Sequence, residues 1–547
     1  MDAIQLTEQR FTYLDWGVIV AYFVLVLLIG SFFSKRSKND KSFFLADRAM
    51  PMWAVALSVI ATALSAATFI GAPQEAYRSD LSYLILNIGG VIAVFIIAIF
   101  FIPVFFRLNT VTIYGFLEKR FGRGARLAAG IAFLFGRLLA SGARLFIAAL
   151  AISFLFFGSS IDSKQALIFT TFIVGGVGTL YTLSGGIKAV IWTDVLQITV
   201  VVGTVLLTIF LLLHTIPLSI GEIFSFLSNS RSSYGDGGKL SLVHTELNLS
   251  SPYTLWTGCF AIVFMNIASY GVDHDAIQRI LTCKSWWRGS LSLIFSNFLS
   301  IVIVFLFMAV GLLLFVFSSP EVMGGAAAIF NDIDPVYPQF LIKYLPRGLS
   351  GLAVAGLFAV AMGSLDSAIN AMASSFLTDV IRPLKAMRGK KTEEFGTGQL
   401  APRLSVAAMG LALIAFALFS IFIYDPKQNT ILGFALGAIA FAYAGLLGVF
   451  FTGLFTRRGN TKSVCIALVG GALTVLLVQP YMLPGWLGLV IAWPWWLVFG
   501  TTVSFTICCM GRPAASSSSL SSLSSLSSRL VLDSVASEQE ESVEVGV

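Results

Sequence analysis

The sequence predicts an all-helical integral membrane protein, and three observations support this fold class. Hydrophobic residues make up 57% of the 547 residues and charged residues 12%, a composition more apolar than that of globular proteins. Apolar stretches long enough to cross a hydrocarbon core of about 30 Å recur along most of the chain. Most of the 35 Lys and Arg residues fall in alternate loops, as expected when basic residues remain in the cytoplasm.

Thirteen apolar stretches are long enough to cross a bilayer, which takes about 20 residues in each helix. They lie near 14–33, 52–72, 81–106, 125–157, 166–184, 188–213, 253–277, 288–318, 345–380, 400–424, 430–455, 461–480 and 487–509. With the N-terminus outside, the basic blocks SKRSKNDK, EKRFGRGAR and RPLKAMRGKK all fall on the cytoplasmic side. The sequence therefore predicts about 13 transmembrane helices, an extracellular N-terminus and a multi-pass location in the plasma (cell inner) membrane.

The motifs of several function classes are missing from the sequence. It has no G-x-x-x-x-G-K-[ST] phosphate loop, no H-E-x-x-H zinc motif and three histidines in all. An ATP-driven pump or a metal-dependent hydrolase would lack its reactive groups, so we expect no enzyme activity. The net charge of +7 follows from the basic cytoplasmic loops, so we expect the lipid bilayer as a partner and no nucleic acid.

The end of the chain has a different composition. Residues 512–547 contain the serine-rich run SSSSLSSLSSLSSRL and the acidic run EQEESVEVGV. A segment with so few large apolar residues cannot form a packed core, so we expect a disordered cytoplasmic tail.

Six charged residues are assigned to membrane depth, where an ionised side chain costs a few kcal/mol or more. They are Arg137, Arg144, Asp194, Asp273, Asp275 and Asp366. Charges persist at this depth mainly where they serve an ion or solute pathway, so these residues are candidate functional groups.

The second apolar stretch is rich in small and hydroxyl residues, with Thr62, Ser65 and Thr68 followed by Gly71 and Pro73. This composition permits local unwinding of a helix, which frees carbonyl oxygens that can bind a cation. A small-residue packing face between helices is the alternative.

Five separate stretches carry a resemblance to a known family. They are ATALSAATFIGAPQEAYR, YTLSGGIKAVIWTDVLQ, YGVDHDAIQRILTCKS, GLFAVAMGSLDSAINAMASSFLTDV and LLGVFFTGLFTRRGN. In order and spacing they resemble the signatures of the sodium/solute symporter family, which includes glucose, proline, iodide, vitamin, monocarboxylate and sialic acid cotransporters. The match runs from about residue 14 to residue 455.

The resemblance implies a LeuT-type core of two inverted five-helix repeats, at 52–216 and 253–455. An extracellular N-terminus and one helix (1–51) precede the core, and an extracellular loop (217–252) separates the repeats. Two additional helices (456–511) lie between the core and the tail. Each repeat begins on a helix rich in Gly, Ser and Thr, as expected where discontinuous helices form a binding site.

The resemblance also implies that sodium is the coupling ion, with no other metal or cofactor. The family's main sodium site would use carbonyl oxygens of Ala61 and Leu64, together with carbonyl and hydroxyl oxygens at Val360, Gly363 and Ser364. A dehydrated monovalent cation needs about five such oxygens. The family usually has a hydroxyl residue where this chain has Gly363, so one side-chain oxygen is missing.

Some members of the family have a second cation site, which would fall at Asp194, Asp366 and Ser367. Two carboxylates would then lie side by side, and two like charges in a low-dielectric pocket require a cation or a proton. We therefore expect a second cation-binding or proton-accepting site at these three residues. Alternatively, Asp366 faces a cytoplasmic water cavity or caps a neighbouring backbone group.

The spacing of Arg137, Ser141 and Arg144 places all three on one face of a helix. Arginine has a planar fork suited to carboxylates, so this face favours an anionic solute. The sialic acid branch of the family has an arginine on this helix for the solute carboxylate, and Ser65 and Thr68 match hydroxyl residues of that branch. Alternatively, either arginine pairs with an inward-facing carboxylate or with a helix C-terminus.

Other positions bear on the choice between a sugar and an acid. Asn266 matches a sugar-contacting asparagine of the family, and Tyr270 offers an aromatic face. The other sugar-binding positions differ, with Ala63 and Thr68 in place of amide ligands and Ser269 in place of an aromatic gate. A polyol or a sugar acid therefore remains possible.

His274 lies between Asp273 and Asp275, where most relatives have an amide. We expect a solvated position at the cytoplasmic mouth of the pathway. The alternative is a histidine that titrates near neutral pH.

The sequence predicts a sodium-coupled symporter that imports a small organic solute, with an anionic sugar acid or carboxylate such as sialic acid as the best candidate. A sodium/sugar or polyol symporter and a monocarboxylate or halide symporter are alternatives. A passive channel and a transporter-like sensor are alternatives from another class. The sequence indicates no oligomeric state.

Overall fold

The computed structural model describes residues 12–34, 40–108, 111–157, 164–232, 235–324, 327, 330, 335–389, 400–423, 431–479 and 490–512. These ranges are almost entirely helical. The predicted tail falls outside the described residues.

The helices follow one another along the chain with short connections. In order they are α1 Tyr13–Ser34, α2 Asp40–Leu45, α3 Met52–Ala63, α4 Ala66–Arg78, α5 Leu86–Ile96, α6 Ile102–Leu108, α7 Tyr114–Phe121, α8 Arg123–Phe157, α9 Lys164–Thr215, α10 Ile220–Asn229, α11 Ile262–Ile267, α12 His274–Ile280, α13 Trp286–Phe317, α14 Pro320–Met323, α15 Val336–Lys343, α16 Leu349–Ser375, α17 Arg382–Met387, α18 Leu400–Ile423, α19 Ile431–Phe455, α20 Thr461–Val478 and α21 Trp493–Met510. Short 3-10 turns form at Ala46–Arg48 and Ser82–Ile85, and π-helical turns at Ile97–Phe101, Thr257–Ala261, Ala268–Val272 and Phe376–Ile381.

Helices occupy most of each predicted span. Among the described residues, nine helices are long and apolar enough to cross a membrane, or ten when the bent pair α3 and α4 is included. Three shorter apolar helices lie at Lys164–Leu180, Thr257–Val272 and Tyr443–Phe455. Apolar side chains of the peripheral helices are exposed on the outer surface, for example on α1 and α18, as expected for contact with lipid.

The helix α9 runs through two of the predicted spans and kinks at Gly186, where φ is +58°. A Cβ at this position would lie 2.7 Å from the carbonyl oxygen of Phe43. Only glycine combines the positive φ with this close approach. The kink therefore joins two spans without an intervening loop.

The second predicted span is broken, as its composition indicated. The backbone is extended at Leu64 and Ser65, and the helices on either side differ in direction by 63°. The hydroxyl and small side chains around the break allow the backbone to leave the helix. The break exposes main-chain polar groups in the interior of the protein, next to α16.

The helix α16 forms the centre of the bundle, and 24 of its 27 residues are buried. It packs against α1, α3, α8 and α9. Small residues permit the close approach, since a Cβ on Gly356 would lie 2.8 Å from the Thr204 hydroxyl. These close contacts place the polar side chains of α16 against the broken span.

The extracellular loop predicted at 217–252 contains the one departure from an all-helical fold in the part of the chain that the structure describes. Strands β1 Arg231–Ser232 and β2 Gly235–Gly238 pair antiparallel. Glycine-rich sequence favours such a tight hairpin over a helix. Lys239 follows β2 and ties the loop to the helical core by donating to the carbonyl oxygen of Tyr77 at 2.7 Å.

Candidate solute and cation sites

A cavity of about 210 Å³ lies beside the break between α3 and α4. Its walls include all six residues that the sequence assigned to the solute, namely Ser65, Thr68, Arg137, Arg144, Asn266 and Tyr270. These residues come from separate stretches of the chain, so the fold brings them together. Further polar residues that the sequence analysis did not identify also line the cavity: Asn87, Asn297, Ser300 and Tyr443.

Arg137 is paired with carboxylates at the wall of the cavity. Its guanidinium donates to Asp273 at 2.6 Å and to Asp275. The Tyr443 hydroxyl also donates to Asp273, at 2.7 Å. This is the ion pairing that the sequence analysis kept as the alternative, and it uses the positive charge that an anionic solute would need.

Arg144 lies about two helical turns beyond Arg137 on α8 and lines the same cavity. Its guanidinium has no hydrogen bond and no ion pair with any residue that the structure describes. An unpaired guanidinium at a cavity wall can present its planar fork to a carboxylate inside the cavity. Of the two arginines, Arg144 is therefore the one available to an anion.

Amide side chains form another part of the cavity wall. The amide nitrogens of Asn266 and Asn87 donate to the carbonyl oxygens of Ile262 and Leu84, each at 3.0 Å. The Oδ1 atom of Asn297 is buried and has no hydrogen-bond partner among the described residues. Amide oxygens of this kind can accept hydrogen bonds from hydroxyl groups of a solute.

The end of α3 faces α16 at the predicted main sodium site. The Ala61 carbonyl oxygen lies 3.3 Å from the position that a Cβ would take on Gly363. Leu64, the first residue beyond α3, lines the solute cavity, and Val360 is buried on α16. Ser364 is also buried, and its hydroxyl donates to a carbonyl oxygen of its own helix at 3.1 Å. Of the five residues, Ala61 and Gly363 are thus brought close together where the broken span meets α16.

The predicted second cation site contains a residue that the sequence analysis missed. Asp194 accepts from the Ser58 hydroxyl at 2.5 Å and pairs with Arg279 at 3.4 Å, with all three side chains buried. Arg279 also donates to the Ser367 hydroxyl. Asp366 accepts from the backbone N–H of Ser367 at 2.6 Å, which is the backbone contact that the sequence analysis kept as an alternative.

Arg279 lies at the end of the stretch YGVDHDAIQR, seven residues from the end of the helical turn that carries Tyr270. This position lies two residues beyond the predicted span 253–277, and Arg279 is not among the six charges assigned to membrane depth. The sequence signal was an arginine four residues after an aspartate on one helix face. In the structure Arg279 is completely buried and donates to Asp275 at 2.6 Å.

A buried network of alternating charges joins the solute cavity to the predicted second cation site. Asp275 accepts from Arg137 on one oxygen and from Arg279 on the other, and Arg279 in turn pairs with Asp194. Two arginines face three carboxylates in this network. It therefore has one net negative charge when all five groups are ionised, and a buried net charge favours the binding of a cation or a proton.

His274 does not have the solvated position that we expected. It is fully buried, and its Nε2 lies 3.3 Å from the Ser374 hydroxyl. The aromatic rings of Tyr114 and Phe133 pack beside the imidazole. The expectation was wrong because α12 packs against α16 in the protein interior.

Comparisons with known proteins show which family the chain belongs to. The family model described as the sodium:solute symporter family matches residues 43–471. The sodium/sialic acid symporter NanT of Aliivibrio fischeri is 28% identical over 86% of this chain and 88% of its own length. The sodium/sialic acid symporter SiaT of Proteus mirabilis is 27% identical, over 85% and 89%. The sodium-coupled monocarboxylate transporter 2 of Danio rerio is 30% identical, over 85% and 71%.

The fold also resembles that of a solved transporter structure. A Na⁺-coupled sialic acid symporter, solved in a substrate-bound outward-open state, superimposes with a TM-score of 0.75. The alignment covers 92% of this chain and 98% of that protein, at 23% sequence identity. The two chains therefore share an architecture over almost their whole length.

Proposed function

Because the chain belongs to the sodium:solute symporter family, we propose that it imports a small organic anion together with sodium, with a sugar acid such as sialic acid as the best candidate. It is a transporter and not an enzyme, and it is a multi-pass protein of the plasma membrane. The single observation that carries the choice of an anion is the unpaired guanidinium of Arg144 at the wall of the cavity.

The surroundings of Arg144 support an anionic solute. The N-terminus of α4 begins at the cavity, since Leu64 and Ser65 line it and α4 starts at Ala66. Helix N-termini attract negative groups because their first backbone N–H groups have no partner within the helix. A solute carboxylate would thus face Arg144 on one side and the start of α4 on the other.

The amides of the cavity support a solute that has hydroxyl groups as well as a carboxylate. Asn87, Asn266 and Asn297 would have little to bind on a short monocarboxylate, whereas a sugar acid offers several hydroxyl donors. The similar proteins NanT and SiaT are named as sodium/sialic acid symporters, and sialic acid is such a sugar acid. A monocarboxylate is the second candidate, because the chain is also similar to the sodium-coupled monocarboxylate transporter 2 of Danio rerio.

For the coupling ion, we propose a main sodium site formed by Ala61, Leu64, Val360, Gly363 and Ser364. The approach of the α3 carbonyl end to α16 supports this assignment. We propose a second cation or proton site at Asp194, Asp366 and Ser367, supported by the net negative charge of the buried network.

The wider architecture in this proposal has thirteen spans, an extracellular N-terminus and two inverted repeats at 52–216 and 253–455. The helices at each of the thirteen predicted positions support it. The break in α3 and α4 would then lie in the first helix of the first repeat, where discontinuous helices of such transporters bind their ligands.

Coupling follows from the position of Leu64, which belongs to the junction with α16 and also lines the solute cavity. Sodium that bridges α3 and α16 would hold the cavity wall in place, so sodium and solute would each raise the affinity for the other by the same factor. One inward sodium ion gains about 2.3 kcal/mol per 100 mV, and a tenfold sodium gradient adds about 1.4 kcal/mol, but a monovalent anion that moves inward loses the same 2.3 kcal/mol. One sodium ion per anion could thus support about tenfold accumulation, and two sodium ions about 5,000-fold.

Purified protein in sealed liposomes tests this function. An inward sodium gradient should drive uptake of radiolabelled sialic acid above the external concentration, whereas choline in place of sodium should not. A passive channel would equilibrate the solute without a gradient and would conduct ions in the absence of solute. A sensor would bind the solute and show no net uptake.

A further inference from the structure

Two helical segments that line the solute cavity end at the same loop. Ser65 and Thr68 at the start of α4 line the cavity, and so does Tyr270 of the helical segment Thr257–Val272. The far end of α4 and the residues that precede this segment both contact residues 239–249, which belong to the loop predicted to be extracellular. These eleven residues, called the bridge below, therefore connect two walls of the cavity.

Lys239, the first residue of the bridge, holds the end of α4. Its Nζ donates to the carbonyl oxygens of Tyr77 at 2.7 Å and of Ser79 at 3.0 Å, and it lies 4.1 Å from the centroid of the Phe315 ring. The residue is only 2% exposed although it lies in a loop. A cation at the last carbonyl oxygens of a helix stabilises that end, because those oxygens have no partner within the helix. The bridge thus has a charged anchor on α4.

Asp80, two residues beyond α4, is a second anchor point. Its side chain is completely buried, and a buried carboxylate needs polar partners that offset its loss of hydration. Oδ1 accepts from the backbone N–H of Ser82 at 2.9 Å, while Oδ2 accepts from the Ser232 hydroxyl at 2.7 Å and from Nε2 of His244 at 3.0 Å. The side chain of His244 therefore ties the bridge to the end of α4.

His244 also contacts the other wall of the cavity, through its backbone. Its carbonyl oxygen accepts from the backbone N–H of Leu255 at 2.9 Å. The carbonyl oxygen of the next residue, Thr245, accepts from the indole Nε1 of Trp256 at 3.0 Å. Leu255 and Trp256 directly precede the segment Thr257–Val272, so one residue of the bridge is bonded to the ends of both helical segments.

Apolar packing does not hold this part of the bridge in place. The side chains of Leu242, Val243 and Leu247 are exposed. The position of the bridge therefore depends on polar contacts, which single substitutions can remove.

We propose that His244 is a positioning residue, which holds the ends of α4 and of the segment Thr257–Val272 together so that both walls keep one arrangement around the solute. The end of α4 needs such a restraint because the extended backbone at Leu64 and Ser65 separates this helix from α3. A link between two walls reduces the conformational freedom that solute binding has to remove, so it raises the affinity. The proposal rests on the solute transport proposed above and gives the loop a part in it.

The test compares His244→Ala with His244→Gln in the full-length protein. Alanine removes the bond to Asp80, so the sialic acid concentration for half-maximal sodium-driven uptake should rise about fivefold or more. The maximal rate should stay within about twofold, because the residues that line the cavity are unchanged. Glutamine keeps an N–H donor at a similar reach and should recover most of the affinity. His214→Ala is the matched control, because this exposed histidine of α9 lies outside the bridge and the cavity wall.

Alkylation of a cysteine in the cavity supplies a readout that needs no solute. In protein that carries Thr68→Cys, His244→Ala should speed the reaction with a water-soluble maleimide several-fold, because the end of α4 is no longer held, whereas His244→Gln should not. Labelling of protein without Thr68→Cys measures the background from the native cysteines. Trp256→Phe removes the indole bond at the other end of the bridge. It replaces His244→Ala if that variant does not fold, and it should change both readouts in the same direction.

An unchanged half-saturating concentration or an unchanged alkylation rate in His244→Ala overturns the proposal, and so does a His244→Gln variant that is as impaired as His244→Ala. A wild-type protein that takes up no sialic acid would instead contradict the proposed function. The alkylation rates would then still decide whether the bridge holds α4.

Discussion

The solute selectivity of the cavity should depend on the charge of Arg144. Replacing it with glutamine keeps a polar side chain of similar reach but removes the positive charge and the planar fork. A hydrogen bond to a charged group contributes about 1.5–3 kcal/mol, so the loss should raise the half-saturating concentration of an acid solute about 10- to 150-fold. Arg144→Lys keeps the charge without the bidentate geometry and should give an intermediate loss.

The assay measures sodium-driven uptake of sialic acid and its inhibition by an analogue whose carboxylate is replaced by a neutral amide. Arg144→Gln should weaken binding of the acid and leave the affinity for the neutral analogue within about twofold, since only the acid interacts with the charge. Arg123→Gln is a suitable control, because this arginine is 67% exposed and its ion pair with Glu118 spans 3.6 Å. Equal losses for the acid and the amide analogue would refute the role of Arg144 in carboxylate recognition.

Three further variants test the buried network and the fold. Asp275→Asn leaves the guanidinium groups of Arg137 and Arg279 without their shared charged acceptor. We therefore expect loss of transport, a free energy of unfolding lower by about 3–5 kcal/mol and a lower melting temperature. An Asp275→Asn variant that melts at the wild-type temperature would contradict a stabilising role for the buried charge network. Asp366→Asn should lower the number of sodium ions per solute, measured from reversal potentials, and unchanged stoichiometry would remove Asp366 from the second site. Gly186→Ala should destabilise the protein by about 1–3 kcal/mol, because φ is +58° and the Cβ approaches a carbonyl oxygen, whereas Gly203→Ala on the same helix meets no atom within 4 Å. Equal melting temperatures of the two alanine variants would refute the claim that the kink requires glycine at position 186.

Local composition predicted the parts of the fold that depend on neighbouring residues in the sequence. The hydroxyl and small residues around Ser65 predicted the broken span, and the backbone is extended there. Apolar length predicted where helices form, but it did not predict that Gly186 joins two spans in one kinked helix. That joint depends on the close approach of Phe43, which is far away in sequence.

The sequence predicted which residues line the candidate solute site, but it did not predict which charged side chains form ion pairs there. The helical spacing of Arg137 and Arg144 made both equal candidates for an anion. Only the tertiary structure shows that Asp273 and Asp275, more than 130 residues away, pair with the first of them. Similarly, the missing hydroxyl at position 363 was evident from the sequence, whereas the close approach of the Gln197 amide to this position was not.

The central claim is that solute movement is tied energetically to sodium, and uptake into proteoliposomes under an imposed membrane potential tests it most directly. With sodium outside and the interior negative, we predict that sialic acid accumulates well above its external concentration, carries net positive charge inward, and stops accumulating when sodium is replaced by choline. Uptake that only reaches the external concentration, at the same rate in sodium and in choline, would contradict the account.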